Sequence, residues 1–229
     1  MPLALLDRIA GMAGAEGLIV MGGLHPAPDE TLVLLGCGPG FWPRFMAAPE
    51  AADSLPDPVD RWSLRVIGGF ADTLGASAAY PFGGPPYAPF IRWALHSGRA
   101  FQSPVGMLVH DTVGMMISYR GALRFDRNIP LPPATAPSPC LSCADQPCTT
   151  ACPVGALSAN QPYALDACHA FLDTPDGEDC MDYGCRARRA CPLAELARQA
   201  GGRNSCVWSK FHLRRYMNSP RKVATFICF

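Results

Sequence analysis

Residues 140–157 read CLSCADQPCTTACPVGAL. Four cysteines fall within thirteen residues, in the form C-x2-C-x4-C-x3-C-P. Three thiols this close on a turning loop can take three corners of one inorganic core. The proline after the fourth fixes φ and redirects the chain, so that fourth thiol points elsewhere. The stretch is a ligand loop, and the chain on either side of it is read outward from that point.

A second group follows. Cys168, Cys180, Cys185 and Cys191 have the form C-x11-C-x4-C-x5-C-P, and Pro192 repeats the Cys-Pro ending. In two-cluster ferredoxins the cysteine before the proline ligates the other cluster. That rule gives Cys140, Cys143, Cys148 and Cys191 to one [4Fe–4S] cluster. It gives Cys152, Cys168, Cys180 and Cys185 to the other. Eight thiols then fill eight sites. The usual spacing leaves two residues between the second and third cysteines. Here there are four, ADQP, an extension similar to that in ferredoxin-like subunits of membrane-linked oxidoreductases. Zinc is the rival metal, since Cys-x2-Cys pairs are common in structural zinc sites, but zinc has no need of two Cys-Pro endings. The second spacing is irregular and leaves another reading open. Cys180 would then be a small buried hydrophobe, and the second cluster three-iron or absent. Cys37, Cys206 and Cys228 lie outside the scheme and read as buried structural thiols.

The totals set bounds. The chain has 229 residues, room for one large domain or two small ones. Its formal net charge is zero, so no global field steers it toward nucleic acid or membrane. Eleven cysteines are an odd number and argue against a full disulfide framework. The start, MPLALLDRIAGMAGAEG, lacks the basic-then-apolar order of a secretory signal. No apolar run approaches the length of a membrane span. The expectation is a cytoplasmic protein with reduced thiols.

Upstream of the cysteines the pattern is that of an α/β (α+β) domain with a mixed sheet, over 1–129. Leu5, Leu6, Ile9 and Met12 recur at helical spacing. GLIVMGGL (17–24) and TLVLLGCG (31–38) read as buried strands, and FWPRFMAAPEA (41–51) as a short helix. DPVDRWSLRVIGGFADTLGA (57–76) is the clearest helix. Asp57 is placed to cap it, Pro58 suits its first position, and Trp62, Val66, Ile67, Phe70 and Leu74 share one apolar face. SAAYPFGG (77–84) reads as a strand entering a loop, and PYAPFIRWALHSG (86–98) as a helix ended by Gly98. VGMLVHDTVGMMISYRGALRF (105–125) reads as two strands joined at Asp111 to Gly114. A proline-rich linker follows over 130–139, within NIPLPPATAPSP, and then a ferredoxin-like two-cluster module with a helical C-terminal tail over 140–229.

The segment CPVGALSANQPYALDACHAF (152–171) resembles that of the epoxyqueuosine reductases, where Cys-Pro-Thr-Gly-Ala precedes Leu-Asp-Ala and an isolated ligating cysteine. Cys168 matches that cysteine. YGCRARRACPL (183–193) is similar to the family's closing Gly-Cys-x2-Cys-x3-Cys-Pro. SPVGMLVHDTVGMMISYRGAL (103–123) is similar to the stretch before the cysteines in those enzymes and in reductive dehalogenases. The resemblance implies an α/β domain that binds cobalamin, fused to a two-cluster module that feeds it electrons. The chain departs from the family twice. Arg188 stands about where the closing motif has its middle cysteine, and Cys180 would supply the missing ligand. The region of the family's acidic proton donor, YPFGGPPYAPFIRWALHSG, holds no Asp or Glu.

Other residues have two readings each. LLGCGPGFW (34–42) fails the G-x-G-x-x-G spacing and reads as a tight turn. FGGPPY is a turn, or the lining of a ligand cavity. His110 is a satisfied structural histidine or a pocket residue, with Tyr119 across the same segment. His169 is a surface residue or a donor to cluster sulfur, which would tune potential. Arg186, Arg188, Arg189, Arg198, Arg203, Lys210, Arg214, Arg215, Arg221 and Lys222 make the last third basic. They offset the negative charge of thiolate-bound clusters, or form a face for an acidic redox protein partner. A nucleic-acid patch is the weaker alternative. The functional expectation is electron transfer by two [4Fe–4S] clusters. The alternative is a cobalamin-dependent reductase.

Overall fold

Two residues, Pro28 and Asp29, separate the first two apolar runs. So short a link allows only a hairpin, because a parallel pair needs a crossover of a dozen residues or more. The computed structural model of the chain describes residues 2–133 and 137–194. In chain order its first elements are α1 (Pro2–Ala15), β1 (Leu18–Ala27), β2 (Glu30–Cys37), α2 (Phe41–Met46), α3 (Pro49–Ala52), α4 (Pro58–Leu74), β3 (Ser77–Ala79) and α5 (Phe90–His96). Then come β4 (Ala100–Gln102), β5 (Leu108–His110), β6 (Tyr119–Phe125), α6 (Leu165–Leu172), α7 (Glu178–Tyr183) and α8 (Arg186–Arg189), with short 3-10 turns between. The described residues divide into two compact units, 2–100 with 118–133 and 101–117 with 137–194.

The first unit is a four-stranded sheet of order β1-β2-β6-β3. All its pairings are antiparallel, which corrects the expected mixed sheet. The protein is mixed α and β, but no βαβ crossover orders these strands. β2 lies between β1 and β6, and Leu32, Val33, Leu34 and Leu35 are all fully buried, which explains their unbroken apolar run. α1 and α5 pack on β1, and α4 packs on β6 and β3. The apolar face of α4 is buried as the spacing predicts, and Gly75 ends the helix in the left-handed region at φ 62°. Asp57 does not cap it: the residue has φ 50° and makes no side-chain cap hydrogen bond. Arg120, buried on β6, instead donates to Asp60 at 2.5 Å and to Ser63 Oγ at 3.1 Å, and lies 5.6 Å from the Phe82 ring centre.

The expected hairpin over 105–125 does not form. β5 pairs with β4, while β6 joins the first unit's sheet. The turn itself exists: His110 and Gly114 exchange backbone hydrogen bonds of 2.8 and 3.0 Å. The chain after it runs on without returning along β5. The break between units therefore differs from the linear boundary at 130–139, because residues 101–117 belong with the cysteines. Val105, Val109 and Met115 share one core with Cys148, Leu157 and Ala187. Part of the proline-rich stretch is also pinned in the first unit. Ile129 is buried, its N–H donates to Thr31 Oγ1 at 2.9 Å, and its carbonyl lies 2.9 Å from His25 Nε2.

One ion pair in the first unit carries a pH prediction. Arg65 donates to both oxygens of the buried Glu50, at 2.5 and 2.9 Å. The guanidinium holds the Glu50 carboxyl below its ordinary range. A depressed carboxyl stabilises the fold above its unfolded pKa, about 4.3. That contribution is lost as pH falls through the lower folded value. Glu50→Gln is expected to lose about 0.5–1 kcal/mol at pH 7, and the deficit closes below about pH 4. Urea unfolding of both proteins at the two pH values measures it.

Candidate metal centre

The first ligand loop is built from short turns, each placing one cysteine. Ser138 Oγ accepts from the Cys140 N–H at 3.3 Å and opens the 3-10 turn Pro139–Leu141. The Cys143 N–H then donates to the Cys140 carbonyl at 3.3 Å. The extra residues before Cys148 have a local purpose. Gln146, at φ 39°, leads into a second 3-10 turn, Pro147–Thr149, with Pro147 at its start. The Thr149 hydroxyl locks that turn by donating to the Gln146 carbonyl at 2.9 Å. Cys148 is buried at its centre.

Cys191 comes to this group from forty-three residues further on. Its N–H donates to the Arg188 carbonyl at 3.3 Å, and its carbonyl accepts from Ala194 at 2.9 Å. α8, just before it, packs against the turn that bears Cys148. The grouping is visible in the thiols' charges. Burial pushes the Cys140 thiol up, and Cys191 and Cys143 push it further. Burial also pushes Cys148 up, with Cys140, Cys191 and Cys143 adding to it. Cys140 and Cys191 pack on the core that contains Cys148.

The second set is gathered in part. Cys180 is buried on α7, and Cys185 stands directly before α8. Burial pushes the Cys185 thiol up. The backbone N–H and charge of Arg188 and the N–H of Ala187 work against that, and Cys180 adds to it. Cys152 packs on the core that Cys140, Cys185 and Cys191 also touch. Cys168 lies on α6, which packs against α7. The two elements carrying Cys168 and Cys180 are thus neighbours.

Among the described residues, no three His, Cys, Asp or Glu side chains are gathered to hold a metal ion. A zinc site brings its sulfurs to about 2.3 Å from one point. A cubane instead spreads its four ligands over separate irons.

One further side chain belongs here. Arg188 is 4% exposed. Its Nε donates to the Met115 carbonyl at 2.7 Å and one terminal nitrogen to the Ile117 carbonyl at 2.6 Å. Among the described residues no carboxylate pairs with it. Arg186 and Arg189 differ, since both pair with Asp179. Burial opposes the Asp179 carboxylate, but the two guanidinium groups hold its carboxyl below the ordinary range. These residues line an open, charged depression of about 420 Å³.

The remaining candidates are placed as follows. His110 is fully buried, and its Nδ1 accepts from the Thr112 N–H at 3.1 Å, as a structural histidine does. Tyr119 is buried against Phe90. His169 is half-buried on α6. Cys37 is buried at the end of β2. Gly36 lies in β2, and a tight turn follows, closed by the Phe41 N–H on the Gly38 carbonyl at 3.1 Å. Cys206, Cys228 and the basic residues from Arg198 onward lie outside the described residues. None of the described helices is long and apolar enough to cross a membrane. Comparison with known protein families, with curated proteins and with solved structures finds no match to this chain.

The placements of Gly114, Arg188 and Ser138 beside these cysteines were not read from the sequence. Gly114 sits under Cys191, where an added Cβ would lie 2.9 Å from the sulfur. The buried role of Arg188 is hidden in a run, RARR, that reads as surface. Ser138 did leave a signal, a hydroxyl two residues before a cysteine at a Pro-started turn.

Proposed function

We propose that this chain carries two [4Fe–4S] clusters and relays single electrons between redox partner proteins. What supports this reading is the two Cys-Pro-ended sets of four cysteines, with Cys140, Cys152, Cys185 and Cys191 packed on the core that contains Cys148. When bound, such clusters take up and release one electron at a time, at a potential set by burial, hydrogen bonds and nearby charge. The chain's own part is to hold the thiolates, exclude water and expose an edge. Buried Cys148 and the core beneath it supply the dry side. Cys140 and Cys143 are half-buried, and Leu141 between them is 82% exposed, so this edge faces solvent where a partner docks.

Anaerobic purification with iron and sulfide analysis, a visible spectrum and a reductive titration tests the proposal. About eight irons and eight sulfides per chain are expected, the content of two cubanes, with absorbance that bleaches on reduction and returns on oxidation. Zinc in place of iron, or iron that does not change redox state, would count against it. A co-purifying corrinoid would turn the reading toward the cobalamin-dependent reductase.

A further inference from the structure

We propose that the hydroxyl of Ser103 donates a hydrogen bond to an inorganic sulfide of a cluster bound on the cysteine core, and that this bond raises that cluster's potential. The inference rests on the two-cluster reading above. It starts from a buried oxygen. Ser103 is 5% exposed, and among the described residues its Oγ has no hydrogen-bond partner. Buried hydroxyls are almost always bonded, because an unpaired one loses its hydration and gains nothing in return.

The local backbone shows where this hydroxyl points. β4 and β5 pair, and the turn SPVGM (103–107) joins them. The Ser103 N–H donates to the Met107 carbonyl at 2.8 Å, and the Gly106 N–H to the Ser103 carbonyl at 2.9 Å. Residues opposite each other on paired strands share a face, and so do residues two apart along one strand. Met107 stands opposite Ser103, and Phe101 comes two residues before it. Both pack on the core of Val105, Val109, Met115, Cys148, Leu157 and Ala187. Gln102, between Phe101 and Ser103, is exposed, as the alternation requires. The Ser103 side chain therefore lies on the face that meets this core. Cys148 belongs to the core, and Cys140, Cys152, Cys185 and Cys191 pack against it.

Apart from its cysteines, that core offers the hydroxyl only apolar side chains. The cysteine sulfurs are among the described residues and do not serve as its acceptor. The acceptor that fits arrives with the metal. An iron–sulfur core brings sulfides that accept hydrogen bonds, whereas a zinc ion brings none.

The sign follows from charge. Reduction makes the cluster more negative, and a donated hydrogen bond is stronger to the more negative acceptor. Losing the donor therefore lowers the potential. Ser103→Ala removes the hydroxyl. Ser103→Thr keeps it on a residue that suits extended backbone.

Reductive titration of the full chain, followed by electron paramagnetic resonance with iron counts, reads both potentials. Cys143→Ala and Cys185→Ala reference spectra tell the clusters apart. In Ser103→Ala the reduction equilibrium of one cluster is expected to fall about fivefold, about 41 mV where a tenfold change is about 59 mV for one electron. The other cluster, and both clusters of Ser103→Thr, stay near the parent. Full iron with both potentials unchanged in Ser103→Ala overturns the proposal, and so does an equal fall in both. If Ser103→Ala loses iron, Ser103→Thr decides. Parental iron and potentials there support the hydroxyl's bond, and a matching loss shows a packing role and overturns it. A parent chain without redox-active iron overturns the two-cluster reading and, with it, this one.

Discussion

Cys191→Ala is expected to hold about four irons where the parent holds about eight, and the cluster it keeps is the one kept by Cys143→Ala. This outcome follows from exchange of the last cysteine between the two loops. Cys191 is close in sequence to Cys185, only six residues away, and packs with Cys140 on the core that contains Cys148. α8 explains how. Its single turn packs on the Cys148 turn and delivers the chain end to the first group. Removing one of four thiolates opens an iron to solvent, and a cubane so exposed is lost. The complementary variant is Cys152→Ala, expected to keep the same cluster as Cys185→Ala. Iron and sulfide counts with spectra of the reduced proteins measure both. A Cys191→Ala spectrum matching that of Cys185→Ala would show that each loop ligates only its own cluster.

What could be read from the residues depends on how local the cause is. β1, β2 and α4 were legible because their apolar spacing is a local matter, and α4 lies within two residues of its expected ends. The order β1-β2-β6-β3 was not, since nothing in Tyr119–Phe125 names β2 as its neighbour. The turn at 110–114 was seen, but its consequence was misread. A tight turn between apolar runs is the mark of a hairpin. Here the run after it leaves to pair with β2, while Val105, Val109 and Met115 stay with the cysteines. The cysteine groups were read on a different basis: ligand spacing is a rule of coordination chemistry and needs no knowledge of the fold. The outer supports of that centre have no such rule. An arginine in RARR has no local feature separating a buried cation from two surface ones. Only the carbonyls of Met115 and Ile117, more than seventy residues away, make the difference.

Gly114 shows the same principle in a form that can be tested by comparison with a neighbour. Gly106 and Gly114 both have positive φ, at 80° and 60°, and both lie in the segment 101–117. An alanine at either is strained by about 1–3 kcal/mol. The surroundings differ. A Cβ on Gly106 meets nothing within 4 Å, whereas one on Gly114 lies 2.9 Å from Cys191 Sγ, Leu193 Cβ and the Ala194 backbone nitrogen. Two of those atoms belong to the main chain or its first carbon and cannot swing aside. The chain bearing Cys191 must shift, and its sulfur shifts with it. Gly106→Ala is therefore expected to lower the unfolding midpoint while keeping the parent's iron. Gly114→Ala is expected to lose about half the iron, the content of one cubane, and to keep the cluster that Cys191→Ala keeps. Equal iron in the two variants would mean that strain alone governs this loop and that Gly114 does not seat Cys191. Iron lost only from Gly114→Ala would trace a metal ligand's position to a residue with no side chain, seventy-seven positions earlier in the chain.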